Sequence, residues 1–299
     1  MAASGNFAFN NPAFQEQQRP GLTPPAQRTA ASSASHQTAD VAANAQLEGM
    51  YAAPTAGATQ TGRMTVEDTV VKTLSLFAIL LVTAVVGWVW TLSPVTNENP
   101  VPTMMPWIIG ALGGFVLAMV ITFTSRKKVR PALIFAYAGF EGLFVGGLSA
   151  FFEFIWPGIV MQATLATLAV VGTTLALFAS GKIRASAKAT KIFMIAMVGY
   201  LVFSLLNVVL MWTNVLPQDM MFGLHSAKIG PFPLGLVIGI LVVIMAAYSL
   251  VLDFDQIQQG VRNGAPRRFG WVGAFGIMVT VVWLYVEILR MIAILRGSD

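Results

Sequence analysis

Cysteine is absent from this chain of 299 residues, and histidine occurs only twice. Without thiols there is no disulfide framework, no thiolate nucleophile and no thiolate metal site. His36 and His225 both fall outside the long apolar runs. Neither an HExxH zinc helix nor an intramembrane Ser–His pair can be assembled from them. The last apolar run, 271–294, contains no lysine, so a retinal Schiff base has no anchor there. Catalysis is not expected. Charge is scarce too: charged residues make up 10% of the chain and hydrophobic residues 56%, a balance that excludes an ordinary soluble domain. The first 30 residues lack an apolar core, so no cleavable signal peptide is expected and the first span should act as the insertion signal.

What the chain does have is seven long apolar runs, at about 73–91, 106–124, 131–152, 158–179, 191–212, 232–252 and 271–294. Roughly 20 apolar residues are needed for a helix to cross about 30 Å of hydrocarbon. None of the runs alternates apolar with polar, so a β-barrel is excluded. The expected fold is all-α: a polytopic membrane protein with a tail at 1–63 and a seven-helix transmembrane domain at 64–299.

The basic residues set the topology. Arg19, Arg28, Arg63 and Lys72 precede or enter the first run, and Arg126, Lys127, Lys128 and Arg130 follow the second. Lys182, Arg184, Lys188 and Lys191 follow the fourth, and Arg262, Arg267 and Arg268 follow the sixth. Only Lys228, Arg290 and Arg296 lie elsewhere, while the alternate gaps carry Glu98, Glu153 and Asp219. By the positive-inside rule the N-terminus is cytoplasmic and the C-terminus outside. Trp88, Trp90, Trp107, Trp156 and Trp212 lie near the proposed outer ends, as an aromatic belt does. The net charge of +5 is accounted for by the inner loops, so the expected surroundings are a lipid bilayer and no nucleic acid.

Residues 1–63 are rich in Ala, Gln, Thr, Ser and Pro, a composition that cannot bury enough surface to order itself. Within them, residues 6–14 hold Phe7, Phe9 and Phe14 in quick succession. Two readings stand: a short motif docking on a cytoplasmic partner or the inner leaflet, or a solvated tail with incidental aromatics. Thr65 is the expected N-cap of the first helix, with Asp68 at its third helical position.

Ionisable residues inside spans are costly and mark candidate functional sites. Glu141 lies ten residues into the third run, roughly 15 Å deep, with no partner evident at that depth. Gly142 and Gly146 beside it form a small-xxx-small pair that permits close helix approach. Arg126 ends the second run and Asp253 the sixth, so they share a depth and can pair. Alone, Arg126 is a snorkelling interfacial residue and Asp253 a helix-end carboxylate. Asp255 lies about 200° around the helix from Asp253 and is the more solvated of the two. Glu287 and Arg290, three positions apart, share a face and can neutralise each other.

The segment from Tyr248 to Ile257, YSLVLDFDQI, resembles the Tyr…Asp-x-x-Gln-Ile signature of the Bax inhibitor-1 family of transmembrane proteins. Arg126, the Phe140-Glu141-Gly142 triplet and Ile288-Leu289-Arg290 are similar in kind and order, and the resemblance spans about 66–296. It implies six helices around a central one, a bacterial inner-membrane location, and pH-sensitive passage of calcium down its gradient. It also implies an inner latch in which two aspartates meet an arginine. Asp253 matches the first aspartate and Arg126 the arginine; the place of the second falls on Thr280, which cannot ionise. Glu287 is no ready substitute, being about 10 Å further out. The expected gate is therefore Asp253 with Arg126. Glu141 stands along the path and Glu153 near the outer mouth, with transient calcium at Asp253 or Glu141. No cofactor is implied. The alternative is a non-conducting regulator that binds a membrane protease or other quality-control machinery, a role that suits the tail.

Overall fold

The computed structural model describes residues 62–98, 100–125, 128–213, 215–217 and 220–297. Arg126 and the aromatic stretch at 6–14 lie outside the described residues, as does all of the expected disordered tail except its last two positions. Among the described residues, seven helices are long and apolar enough to cross a membrane. They are α1 (Val66–Leu92), α2 (Met105–Ser125), α3 (Pro131–Ile155), α4 (Ile159–Ala179), α5 (Ala187–Trp212), α6 (Leu234–Arg262) and α7 (Gly270–Arg296). A two-residue hairpin, β1 (Lys228–Ile229) and β2 (Phe232–Pro233), leads into α6.

Four helix starts have a local cause. The Thr65 hydroxyl accepts the Asp68 amide at 3.1 Å, and Glu67 and Asp68 place negative charge at the positive end of α1. Pro131 opens α3, where its missing N–H costs nothing. At the α3–α4 corner Gly158 adopts φ 86°. There the Glu153 carboxylate accepts the amides of Gly158 at 2.6 Å and Val160 at 3.0 Å, a carboxylate cap on the N-terminus of α4. Ser186 caps α5 through the Ala189 amide at 3.2 Å.

Two helices outrun their apolar windows. The start of α1 is Val66 rather than about 73, and α6 continues to Arg262 rather than ending near 252. The reason in α6 is packing: Gln256, Ile257 and Gly260 stay buried beyond the apolar run. The tail boundary also shifts. Gly62 accepts the Arg267 amide at 2.8 Å, the Met64 amide donates to Ala265 at 2.7 Å, and Arg63 bridges to Pro266. The side chain of Arg267 grips Asp68 through two nitrogens at 2.7 and 3.0 Å, and Lys72 pairs with the same carboxylate. The start of α1 is thus strapped to the α6–α7 turn.

Packing is driven by small residues, since lipid tails are as apolar as Leu and give helices no hydrophobic reason to associate. A Cβ added to Gly142 would lie 1.9 Å from Thr83 Oγ1, and one on Gly146 would lie 1.9 Å from the Ala84 carbonyl oxygen. Both are on the α1–α3 seam. On the other flank of α3, a Cβ on Gly110 of α2 would lie 2.3 Å from the Phe144 amide nitrogen. The last helix, α7, is the most enclosed of the spans. It packs on α1, α3, α4 and α6 around the fully buried Phe275, Met278 and Leu284. At the periphery, α5 shows most of its length outward, with Ile195, Leu201 and Leu205 facing the bilayer.

Close approach makes a testable prediction. Gly146→Val should lower stability in detergent by about 1–3 kcal/mol through overpacking. Gly172→Val, at a site with nothing within 4 Å of an added Cβ, should unfold near the parent midpoint. Denaturation followed by circular dichroism checks both.

Candidate functional site

Ser249, Asp253 and Gln256 stand at i, i+4 and i+7 on α6, so they share one face. All three are buried, Asp253 completely at 0% exposure. Across the seam Thr280 of α7, also buried, donates its hydroxyl to Asp253 Oδ2 at 2.7 Å and lies 3.5 Å from the Ser249 hydroxyl. Asp253 is therefore not an interfacial helix-end carboxylate: α6 carries it nine residues inside its own C-terminus. Asp255 is half-buried and accepts the Gln259 amide at 2.7 Å, in keeping with the more solvated side of the helix.

Gln256 is the anomaly of this seam. It is 7% exposed, and neither its amide nitrogen nor its amide oxygen has a partner. Unmade hydrogen bonds of buried groups cost about 1–3 kcal/mol each. A carboxylate and two hydroxyls thus face one another across the α6–α7 seam, one helical turn from an unpartnered amide.

The other candidates fall into separate places. Glu141 does have a partner at its depth: Tyr137, one turn earlier on α3, hydrogen-bonds it. Its carboxylate lies against α2, where a Cβ on Gly114 would come within 2.9 Å of Oε2. Tyr137 in turn meets Phe275 edge-on at 4.9 Å. Glu141 thus sits on the α2–α3 side, whereas Asp253 sits between α6 and α7. Glu153 caps α4 with both of its oxygens. Glu287, 3% exposed, is paired with Arg290, and the Tyr200 hydroxyl of α5 donates to it at 2.9 Å. That triad ties α5 to α7.

Three contributors were not singled out from the sequence, Ser249, Tyr137 and Tyr200, while Gln256 entered only as part of the Asp-x-x-Gln-Ile signature. Ser249, Gln256 and Tyr137 carried a signal, since each lies three or four positions from an acid on its own helix. Tyr200 lies on a different helix from Glu287, and no spacing links them. His225 was passed over as an outer-loop residue. It is buried at 4% exposure, edge-on to Phe203 at 5.0 Å and 3.3 Å from Asn207 Nδ2. Burial pushes its imidazole down to about 4, and the nearby Arg290 guanidinium adds to the fall, against a hydrogen bond that the ring donates to the Phe222 backbone carbonyl.

Two outcomes are expected. Thr280→Val should cost about 1–3 kcal/mol by stripping a donor from a buried carboxylate, while Gln256→Leu should leave stability unchanged or raise it; thermal unfolding in detergent separates them. The lowered His225 value makes the unfolded imidazole bind a proton that the folded one refuses, so its contribution is full above about pH 6.5 and is lost as pH falls toward about 4. Against a His225→Leu variant, the parent should show the extra loss of stability only in that window.

Searches of curated proteins and of solved structures return no match to the chain. The family model described as Bax inhibitor 1 like matches residues 11–297, reaching much further into the tail than the motifs between 66 and 296 do. With a match of that length over a seven-span bundle, the chain belongs to the Bax inhibitor 1 like family.

Proposed function

We propose that this protein is a calcium leak channel of the cell membrane, gated at its inner end by Asp253. The observation that carries the reading is the complete burial of Asp253 inside a spanning helix, held by the Thr280 hydroxyl beside the unpaired amide of Gln256. A buried carboxylate in a membrane span is retained for function far more readily than for stability. In the closed state Asp253 keeps α6 bound to α7 through Thr280, and Arg126 serves as its cationic partner. Protonation removes the charge that strengthens this bond, and the seam loosens. Calcium then passes along oxygen ligands, with Gln256, Ser249 and Asp253 replacing part of its water shell. Glu141 is a separate carboxylate station on the α2–α3 side. The role is passage, not catalysis. The positive-inside rule supports a cytoplasmic tail and an outside C-terminus, and the membrane proposed is the inner membrane of a bacterial cell.

A second reading has one observation in its favour. The family match begins at residue 11, so much of the tail belongs to the family pattern. A tail of that kind fits a non-conducting regulator docking on a membrane protease or a cytoplasmic partner through residues 6–14.

Calcium flux into liposomes from pH 6 to 8 tests the channel. Flux should rise as pH falls, with the slope of a single proton because Thr280 stands where a second acid would be. A hydrogen bond to a charged group is worth about 1.5–3 kcal/mol, so Asp253→Asn should shift flux about tenfold or more and flatten the pH response. Thr280→Asp should steepen that response. Parent protein that is well inserted yet passes no calcium sinks the channel reading, as does an Asp253→Asn variant indistinguishable from it. Unchanged flux in Glu141→Gln removes that residue from the path. Flux that survives deletion of residues 1–61, with loss of a co-purifying protein, assigns the tail a separate binding role.

A further inference from the structure

Helices α1 and α4 both lean on α3 and α7 yet make no extensive contact with each other. The gap between them is a cavity of about 740 Å³, with α3 and α7 as its floor. It occupies the half of the bundle toward the C-terminal end of α1 and the N-terminal end of α4, from Phe77 to Trp88 on one wall and Val160 to Leu168 on the other. We infer that this groove is a binding site for the acyl chain of a bilayer phospholipid.

Four observations commit the site to that occupant. Its mouth is formed by Leu81, Val85 and Leu168, which are 63%, 64% and 62% exposed on the apolar face of spanning helices. At that depth the surrounding solvent is hydrocarbon rather than water. The polar groups in the floor ask for no ligand, because Tyr285 and Ser149 share a hydrogen bond at 2.7 Å and Thr164 also bonds Tyr285. A polar ligand would have to break that set, whereas an alkyl chain need not. The volume is that of a site that encloses a ligand. Left empty, it would forfeit dispersion contacts along both walls. Trp88 marks the interfacial end of the α1 wall, where the headgroup of a lipid seated there would emerge.

The experiment uses the full chain in liposomes doped with a phosphatidylcholine carrying a diazirine in its acyl chain. Adducts are mapped by peptide mass spectrometry after photolysis. Peptides covering 81–88 and 164–168 should be labelled several-fold above those covering 195–205 of α5, where Ile195, Leu201 and Leu205 are as exposed as the groove's own mouth. Val85→Trp and Leu168→Trp, substitutions at lipid-facing positions that fill the groove, should bring its labelling down to the α5 level and leave α5 labelling unchanged. Labelling in proportion to exposure alone, equal on α5 and the groove, overturns the inference. So does groove labelling that the two tryptophans do not reduce. Protein–protein cross-links through 81–88 that exclude the lipid label would assign the groove to a helix of a second copy and overturn it as well. None of these readouts depends on ion flux.

Discussion

Every polar group buried at membrane depth has to find its partner inside the protein, because hydrocarbon offers none. That constraint organises the interior of this bundle. Thr83, Thr122 and Thr167 return their hydroxyls to carbonyls four residues back on their own helices, at 2.9, 2.6 and 2.7 Å. Ser149 and Tyr285 satisfy each other between α3 and α7, Thr190 and Tyr248 between α5 and α6. The charged groups follow the same rule at higher stakes: Glu287 takes Arg290 and Tyr200, Asp253 takes Thr280, and Glu141 takes Tyr137. The bonds between helices, Ser149 with Tyr285, Thr190 with Tyr248, Tyr200 with Glu287 and Thr280 with Asp253, also fix which helix stands next to which. Thr91 Oγ1, Trp107 Nε1 and the Gln256 amide break the rule, the last of them one turn from the fully buried carboxylate.

Close packing supplies what polar bonds do not. The glycines of α3 let α1 and α2 approach until backbone meets backbone, and such contact is rigid because no rotamer can relax it. The pairing of α6 with α7 differs in kind. Its centre is a hydrogen bond to an ionisable group, and a bond of that sort changes strength when the group is protonated. The bundle thus joins a glycine-locked side, α1 to α3, to a seam, α6 to α7, that carries a fully buried carboxylate.

Much of this was legible in the sequence. Span number and the α1 cap follow from the bilayer thickness and from helix-end chemistry, and the Gly142–Gly146 contact from helical spacing. Thr280 was singled out as well, by counting from Arg290, and it does face Asp253 at 2.7 Å. Other features were hidden for definite reasons. Apolar runs end where hydropathy falls, but helices end where backbone bonds run out, so the last turns of α6 were missed. Asp253 then looked like an end residue and is instead fully enclosed. Glu141 looked partnerless because attention went to charges, whereas its partner is a phenol. The strap between Asp68 and Arg267 joins positions 199 apart in the chain, and no local pattern encodes a pairing across such a distance.

Thr280 changes the electrostatics of the seam rather than abolishing it. Two carboxylates facing each other cannot both ionise at close range, so one proton is shared and the pair titrates as a unit. A threonine opposite one carboxylate removes that repulsion. Its hydroxyl donates to the Asp253 carboxylate across the α6–α7 seam. The hydroxyl occupies the facing position at a hydrogen-bonding distance of 2.7 Å, and one helical turn from that carboxylate Gln256, which can both donate and accept, has neither amide atom partnered.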